Sequence, residues 1–73
     1  MWKVYCSFKS DHQNAGTYIT NVLAGLGITP INENRYPDRY IWVCVPLADA
    51  PFIAWTMLRH ADTKHVWIEE VKY

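Results

Sequence analysis

The chain has 73 residues, a formal net charge of zero at pH 7 and a composition that is 51% hydrophobic. A chain of this length is near the lower size limit of a single hydrophobic core, so we expect residues 1–73 to form one free-standing domain. Zero net charge removes the usual electrostatic basis for tight, non-specific nucleic-acid binding. No apolar run approaches the roughly 20 residues needed to span a bilayer, which favours a cytoplasmic protein that does not contact membranes.

The aromatic content is high, with four tryptophans, five tyrosines and two phenylalanines. A domain this small cannot bury all of these side chains fully. Some aromatic surface is therefore expected to remain for a partner protein, a ligand or a second copy of the chain.

Alternating residues predict a first strand from Trp2 to Lys9. One set is expected to face the core: Trp2, Val4, Cys6 and Phe8. Tyr5 belongs to the other set and is expected to face away from it.

A capping-box pattern, formed by Ser10 and Gln13, predicts the start of the first helix. Apolar residues at helical spacing predict its inward side: Ala15, Tyr18, Ile19, Val22, Leu23 and Leu26. Gly25 and Gly27 supply the left-handed conformation in which many helices end.

The most strand-like run is Arg39–Leu47, which carries aliphatic residues on one face and Tyr40, Trp42 and Cys44 on the other. The preceding run, Ile28–Tyr36, is polar and contains a proline, as is typical of an edge strand. A Pro-Asp pair between the two runs favours a turn, so we predict a hairpin.

A second helix is predicted to begin after Asp49, with Pro51 in its first turn, and to continue to His60 or Ala61. A helical projection predicts its inward residues: Ala50, Ile53, Ala54, Met57, Leu58 and Ala61. The last strand is predicted from Val66 to Tyr73, and its charged residues again favour an edge position.

The predicted order is strand, helix, strand, strand, helix, strand. This order is typical of the α+β, ferredoxin-like βαββαβ sandwich, with sheet order 4-1-3-2 and two helices on one face. Alternation places several aromatic side chains on the opposite, open face: Tyr5, Tyr40, Trp42 and Trp67. Val71 and Tyr73 are further candidates for this face.

The segment Tyr40-Ile41-Trp42-Val43 resembles the third-strand motif of RNA-recognition motifs, which stack bases on aromatic residues of the two central strands. The resemblance covers four residues. It implies binding of single-stranded RNA or DNA through the open face.

Exposed tryptophan and tyrosine are also frequent anchors of protein interfaces, so contact with another protein is the main hypothesis. The partner would be a host complex or a second copy of the chain. The open face is the strongest candidate surface. The second is the outer side of the second helix, which carries Phe52, Trp55 and Arg59. The structural alternatives are that the open-face aromatics pack on one another, and that Trp55 fills the gap at the sheet edge.

No residue pattern predicts a catalytic, cofactor or metal site. His60, Asp62 and His65 are close in sequence, but their spacing matches no zinc-binding pattern. Cys6 and Cys44 are expected on opposite faces of the sheet, where they cannot pair.

We therefore predict a non-enzymatic protein-binding module. By fold class alone, such compact proteins are similar to phage- or mobile-element-encoded inhibitors of host machinery, including anti-CRISPR proteins. A small dimeric α+β-barrel enzyme, with its site between two sheets, is a further alternative.

Overall fold

A computed structural model of the chain describes residues 1–71. Its elements follow in this order: β1 (Trp2–Lys9), α1 (Gln13–Gly25), β2 (Ile31–Arg35), β3 (Asp38–Val45), α2 (Ala50–Leu58) and β4 (Thr63–Glu70). The strands form one antiparallel sheet in the order β2-β3-β1-β4, which is the predicted order 4-1-3-2. The ferredoxin-like βαββαβ topology predicted from the sequence is confirmed.

The core lies between one face of the two central strands and the two helices. Alternation in β1 and β3 turns six side chains inward: Val4, Cys6, Phe8, Ile41, Val43 and Val45. The helices add Ala15, Ile19, Leu23, Ala50, Ile53 and Met57. Burying a large apolar side chain stabilises the folded state by about 1.5–3 kcal/mol, so this layer supplies most of the stabilisation.

The start of α1 differs from the prediction, because Ser10 and Gln13 do not form a capping box. The helix begins after His12, and no side chain caps it. The Ser10 amide instead donates to the Pro37 carbonyl at 3.0 Å, which ties the end of β1 to the hairpin turn. The predicted left-handed exit is confirmed at Gly27, whose φ is 78°, but not at Gly25, which is the last residue of the helix.

Four residues predicted to face inward are exposed in the structure: Tyr18, Leu26, Leu58 and Ala61. In α2 the rotation about the helix axis buries Thr56, whose hydroxyl donates to the Phe52 carbonyl at 2.9 Å. Leu58 consequently lies on the outer side of the helix. The structure also ends α2 at Leu58, before the predicted end at His60 or Ala61.

The edge strands are β2 and β4, as predicted. Strand β4 begins at Thr63 instead of Val66, and positions 72 and 73 of the predicted strand lie outside the described residues. Over the described part of the chain, neither helix has the length and apolar character needed to cross a bilayer.

Candidate functional site

The strand register brings the predicted open-face aromatics together on the side of the sheet away from the helices. Tyr5 on β1 is paired with Trp42 on one side and with Trp67 on the other. Tyr40 lies in the next row, opposite Ser7. The sequence-predicted set therefore converges in space.

These aromatic side chains pack mainly on one another. The ring centroids of Tyr5 and Trp67 are 3.8 Å apart with an interplanar angle of 62°, and those of Tyr40 and Trp67 are 6.4 Å apart at 88°. The separation and angle of the Tyr40–Trp67 pair are those of favourable edge-to-face packing. All four open-face aromatics, including Trp42, are already half-buried by contacts within the chain itself.

The polar groups of this face are also largely satisfied within the chain. The Tyr5 hydroxyl donates to Glu69, and the Trp42 indole N–H donates to Glu33 at 3.2 Å. Glu33 also forms an ion pair with Arg35 at 2.8 Å. Because both polar donors are engaged, a partner on this face would compete with existing hydrogen bonds.

Cations cover part of the ring surface. The Lys3 ammonium lies 4.4 Å from the centroid of the Trp42 ring and 4.8 Å from that of Tyr5. Arg35 lies 5.5 Å from the Tyr40 ring. A depression of about 260 Å³ remains between these side chains. The sequence pattern does not predict the roles of Glu33 and Glu69, although alignment of the hairpin places Glu33 opposite Tyr40.

Burial raises the pKa of Tyr5 from 10.0 to about 12, and the hydrogen bond and negative charge of Glu69 add to the effect. The folded state therefore disfavours ionised Tyr5. The stability that this residue contributes is complete below pH 10 and is lost as the pH rises towards 12.

Replacing Glu69 with glutamine should lower the Tyr5 pKa only in part. The variant keeps an oxygen acceptor and removes the charge, whereas burial, the largest cause of the shift, remains. The tyrosinate absorbance of the variant, minus that of Tyr5→Phe in the same background, measures this pKa. A Tyr5 pKa equal to that of the wild type would contradict the assigned contact.

The second candidate surface is the outer side of α2, and the structure confirms its exposure. The exposed fractions are 50% for Phe52, 53% for Trp55 and 62% for Leu58. The Phe52 and Trp55 rings are 6.2 Å apart, and the Arg59 guanidinium lies 4.7 Å from the Trp55 ring. We call these four residues the α2 outer patch. Trp55 does not fill a gap at the sheet edge.

A small cavity of about 200 Å³ opens beside the patch. It lies between the segment after α1 and the start of α2, and its lining is mainly apolar: Leu26, Ile28, Asp49, Phe52 and Ile53. A pocket next to exposed aromatic residues is the setting in which interface anchors are commonly found.

His60, Asp62 and His65 are close in sequence but do not form one cluster in the structure. His65 lies on the open face, with its ring centroid 6.5 Å from that of Trp67. His12 instead approaches Asp62, at 3.6 Å, and His60 lies 3.9 Å from the same carboxylate. Within residues 1–71 no group of three or more histidine, cysteine or acidic side chains is placed to hold a metal ion.

The two cysteines lie on opposite faces, as predicted, and neither forms a disulfide in residues 1–71. Burial raises the pKa of the Cys6 thiol from 9.0 to about 12, whereas Cys44 is exposed. Because the thiolate is the reactive form, Cys6 should be inert in the folded protein.

We expect a thiol-alkylating reagent to modify one cysteine in the native protein and two in urea, as counted by mass spectrometry. The matched control Cys44→Ser should show no rapid native labelling. Rapid modification of Cys6 in that control would contradict its buried position.

No protein-family model matches the chain, and no curated protein matches its sequence.

Proposed function

We propose that the chain is a non-enzymatic protein-binding module whose main docking surface is the α2 outer patch. The observation that carries this proposal is that α2 is apolar on both sides. Its inner side packs in the core through Ala50, Ile53 and Met57. Its outer side exposes Phe52, Trp55 and Leu58 to solvent. A helix that is hydrophobic all round is normally buried, so a partner is expected to cover the outer side.

The open face is the weaker docking surface. Its aromatics are half-buried, its polar donors are bonded to Glu33 and Glu69, and its rings are contacted by Lys3 and Arg35. In the α2 outer patch, by contrast, the rings contact each other and Arg59 but remain about half exposed. Burying an exposed apolar surface contributes roughly 25 cal/mol for each Å² removed from water, so this patch offers more binding energy.

One form of this proposal is an inhibitor that occupies a surface of a host complex, as phage-encoded and anti-CRISPR proteins do. Such a protein needs a rigid docking surface and no catalytic residues. Two unpaired cysteines are consistent with action in a reducing compartment, which supports a cytoplasmic location.

Affinity capture from the native host with the tagged chain tests the proposal. We expect one partner protein at a stoichiometric level, retained by the wild type and lost with Trp55→Ala. A partner lost with Trp42→Ala but kept with Trp55→Ala would place docking on the open face.

Single-stranded nucleic acid is the competing ligand, because Tyr5, Tyr40 and Trp42 converge on the central strands as the resemblance implies. Salt-dependent retention of single-stranded RNA, lost with Tyr5→Ala and kept with Trp55→Ala, would overturn protein binding in favour of this function. A stable dimer with a closed cavity between two open faces would favour the barrel-type enzyme instead.

A further inference from the structure

Arg39 is a charged residue in a row of buried aliphatic residues. On β3 the side that faces the helices carries Ile41, Val43 and Val45, all of which are buried. Arg39 continues this row and pairs with the buried residue Phe8 on β1. A cation at the margin of a core is unusual enough to require a physical reason.

A polar groove lies directly beside Arg39, between α1 and the edge strand β2. Its volume is about 310 Å³, and its lining residues are Gln13, Gly16, Thr17, Thr20, Asn21, Asn32 and Arg39. None of these residues is acidic. The lining therefore combines one permanent positive charge with neutral hydroxyl and amide groups that can donate or accept hydrogen bonds.

The groove lining includes a glycine, Gly16, at the point where α1 packs closely on Phe8. A Cβ atom at Gly16 would lie 3.2 Å from Cζ of Phe8 and 3.7 Å from Nη1 of Arg39. The Arg39 guanidinium carbon lies 5.7 Å from the centroid of the Phe8 ring, which supports the cation from one side. The missing side chain at Gly16 thus leaves room for the Phe8 ring against α1, and the Arg39 guanidinium lies beside that ring at ordinary contact distance from the helix.

Arg39 has no carboxylate partner among residues 1–71. Ion pairs there engage Arg35 with Glu33 and Lys64 with Asp38, but none includes Arg39. A half-buried guanidinium in a groove without acidic residues has its hydrogen-bonding fork available. That fork matches the geometry of a carboxylate or phosphate.

We propose that the groove between α1 and β2 binds an oxyanion, the carboxylate or phosphate group of a small ligand. Arg39 holds two of its oxygens, and the side chains of Thr17, Thr20 and Asn32 are placed to bond the remainder of the ligand. The site is separate from the α2 outer patch, and it goes beyond the protein-binding function proposed above.

Titration of the full 73-residue chain, followed by amide chemical shifts in NMR, tests the site. The probes are inorganic phosphate, acetate and chloride at constant ionic strength. We expect saturable shifts at Thr17, Asn32 and Arg39 with phosphate or acetate and none with chloride. Saturation by phosphate alone assigns a phosphate ligand, and saturation by acetate alone assigns a carboxylate.

Substitutions in the groove and at a control position outside it make the result specific. Arg39→Gln should weaken binding at least tenfold, and Arg39→Lys, which keeps the charge without the fork, should weaken it severalfold. If Arg39→Gln does not fold, Thr17→Glu serves in its place, because its exposed position tolerates change and its carboxylate would occupy the groove. Thr29→Glu adds the same charge in an exposed position outside the groove lining and should leave binding unchanged.

The proposal is overturned if neither phosphate nor acetate gives saturable shifts. It is also overturned if Thr17→Glu and Arg39→Gln both bind the probe as tightly as the wild type does. It is also overturned if chloride shifts the same amides as strongly as phosphate, since that result would indicate screening of charge alone.

Discussion

Trp55→Ala is expected to weaken binding of the partner protein by about 2–4 kcal/mol, which is at least roughly thirtyfold in Kd. Trp55 is 53% exposed, so its ring has a large surface that only a partner can bury. The same exposure means that the substitution should change the free energy of unfolding by less than about 1 kcal/mol. Loss of binding with little loss of stability is the expected result.

Isothermal titration calorimetry with the captured partner gives the change in Kd, and urea unfolding gives the change in stability. The matched control is Tyr36→Ala. Tyr36 is 89% exposed and lies on the turn between β2 and β3. It is therefore an aromatic residue that is more exposed than Trp55 but lies outside the α2 outer patch. Equal binding by the wild type and Trp55→Ala would exclude the α2 outer patch as the docking surface.

The central strands could be predicted from the sequence because their signal has a period of two residues. Val4, Cys6 and Phe8 alternate with polar or amphipathic residues, and a shift by one residue would place the charged Lys3 in the core. The same alternation located Tyr5, Tyr40 and Trp42 on the open face. A strong periodic pattern thus determines both the element and its buried side.

The rotation of α2 could not be predicted in the same way. Its nine residues include no charged side chain, so apolar residues occur on both sides and no polar stripe marks the solvent. Thr56 is buried because its hydroxyl is satisfied by the Phe52 carbonyl, an interaction that hydrophobicity alone does not reveal. A projection from the sequence therefore predicts Leu58 on the inward side and leaves it out of the α2 outer patch.

The partners of the open-face aromatics also depend on long-range pairing. Glu69 meets Tyr5 only because β4 pairs with β1, which is a contact between the two ends of the chain. The sequence predicts that these strands are neighbours, but not their register, since β4 lacks strict alternation and its pairing with β1 shifts register between Ser7 and Phe8. Whether the aromatics were satisfied within the chain could therefore be decided only from the structure.

Phe8→Ala is expected to lower the free energy of unfolding by about 3–5 kcal/mol. Phe8 is fully buried, and its ring packs against α1 at Gly16. The Arg39 guanidinium lies over the same ring, with its carbon 5.7 Å from the ring centroid. Removing the ring therefore opens a cavity where the sheet meets α1. A domain of 73 residues has a total stability of roughly 4–11 kcal/mol, so this single change consumes a large part of it.

Urea unfolding followed by tryptophan fluorescence measures the effect, with Phe8→Leu as the matched control. Leucine retains most of the apolar volume, so its cost should stay below about 1.5 kcal/mol. A loss below about 1 kcal/mol for Phe8→Ala would contradict the packing described for the ring. Because the ring also supports Arg39, Phe8→Leu should weaken oxyanion binding in the groove while the protein remains folded, which links the core to the site at its margin.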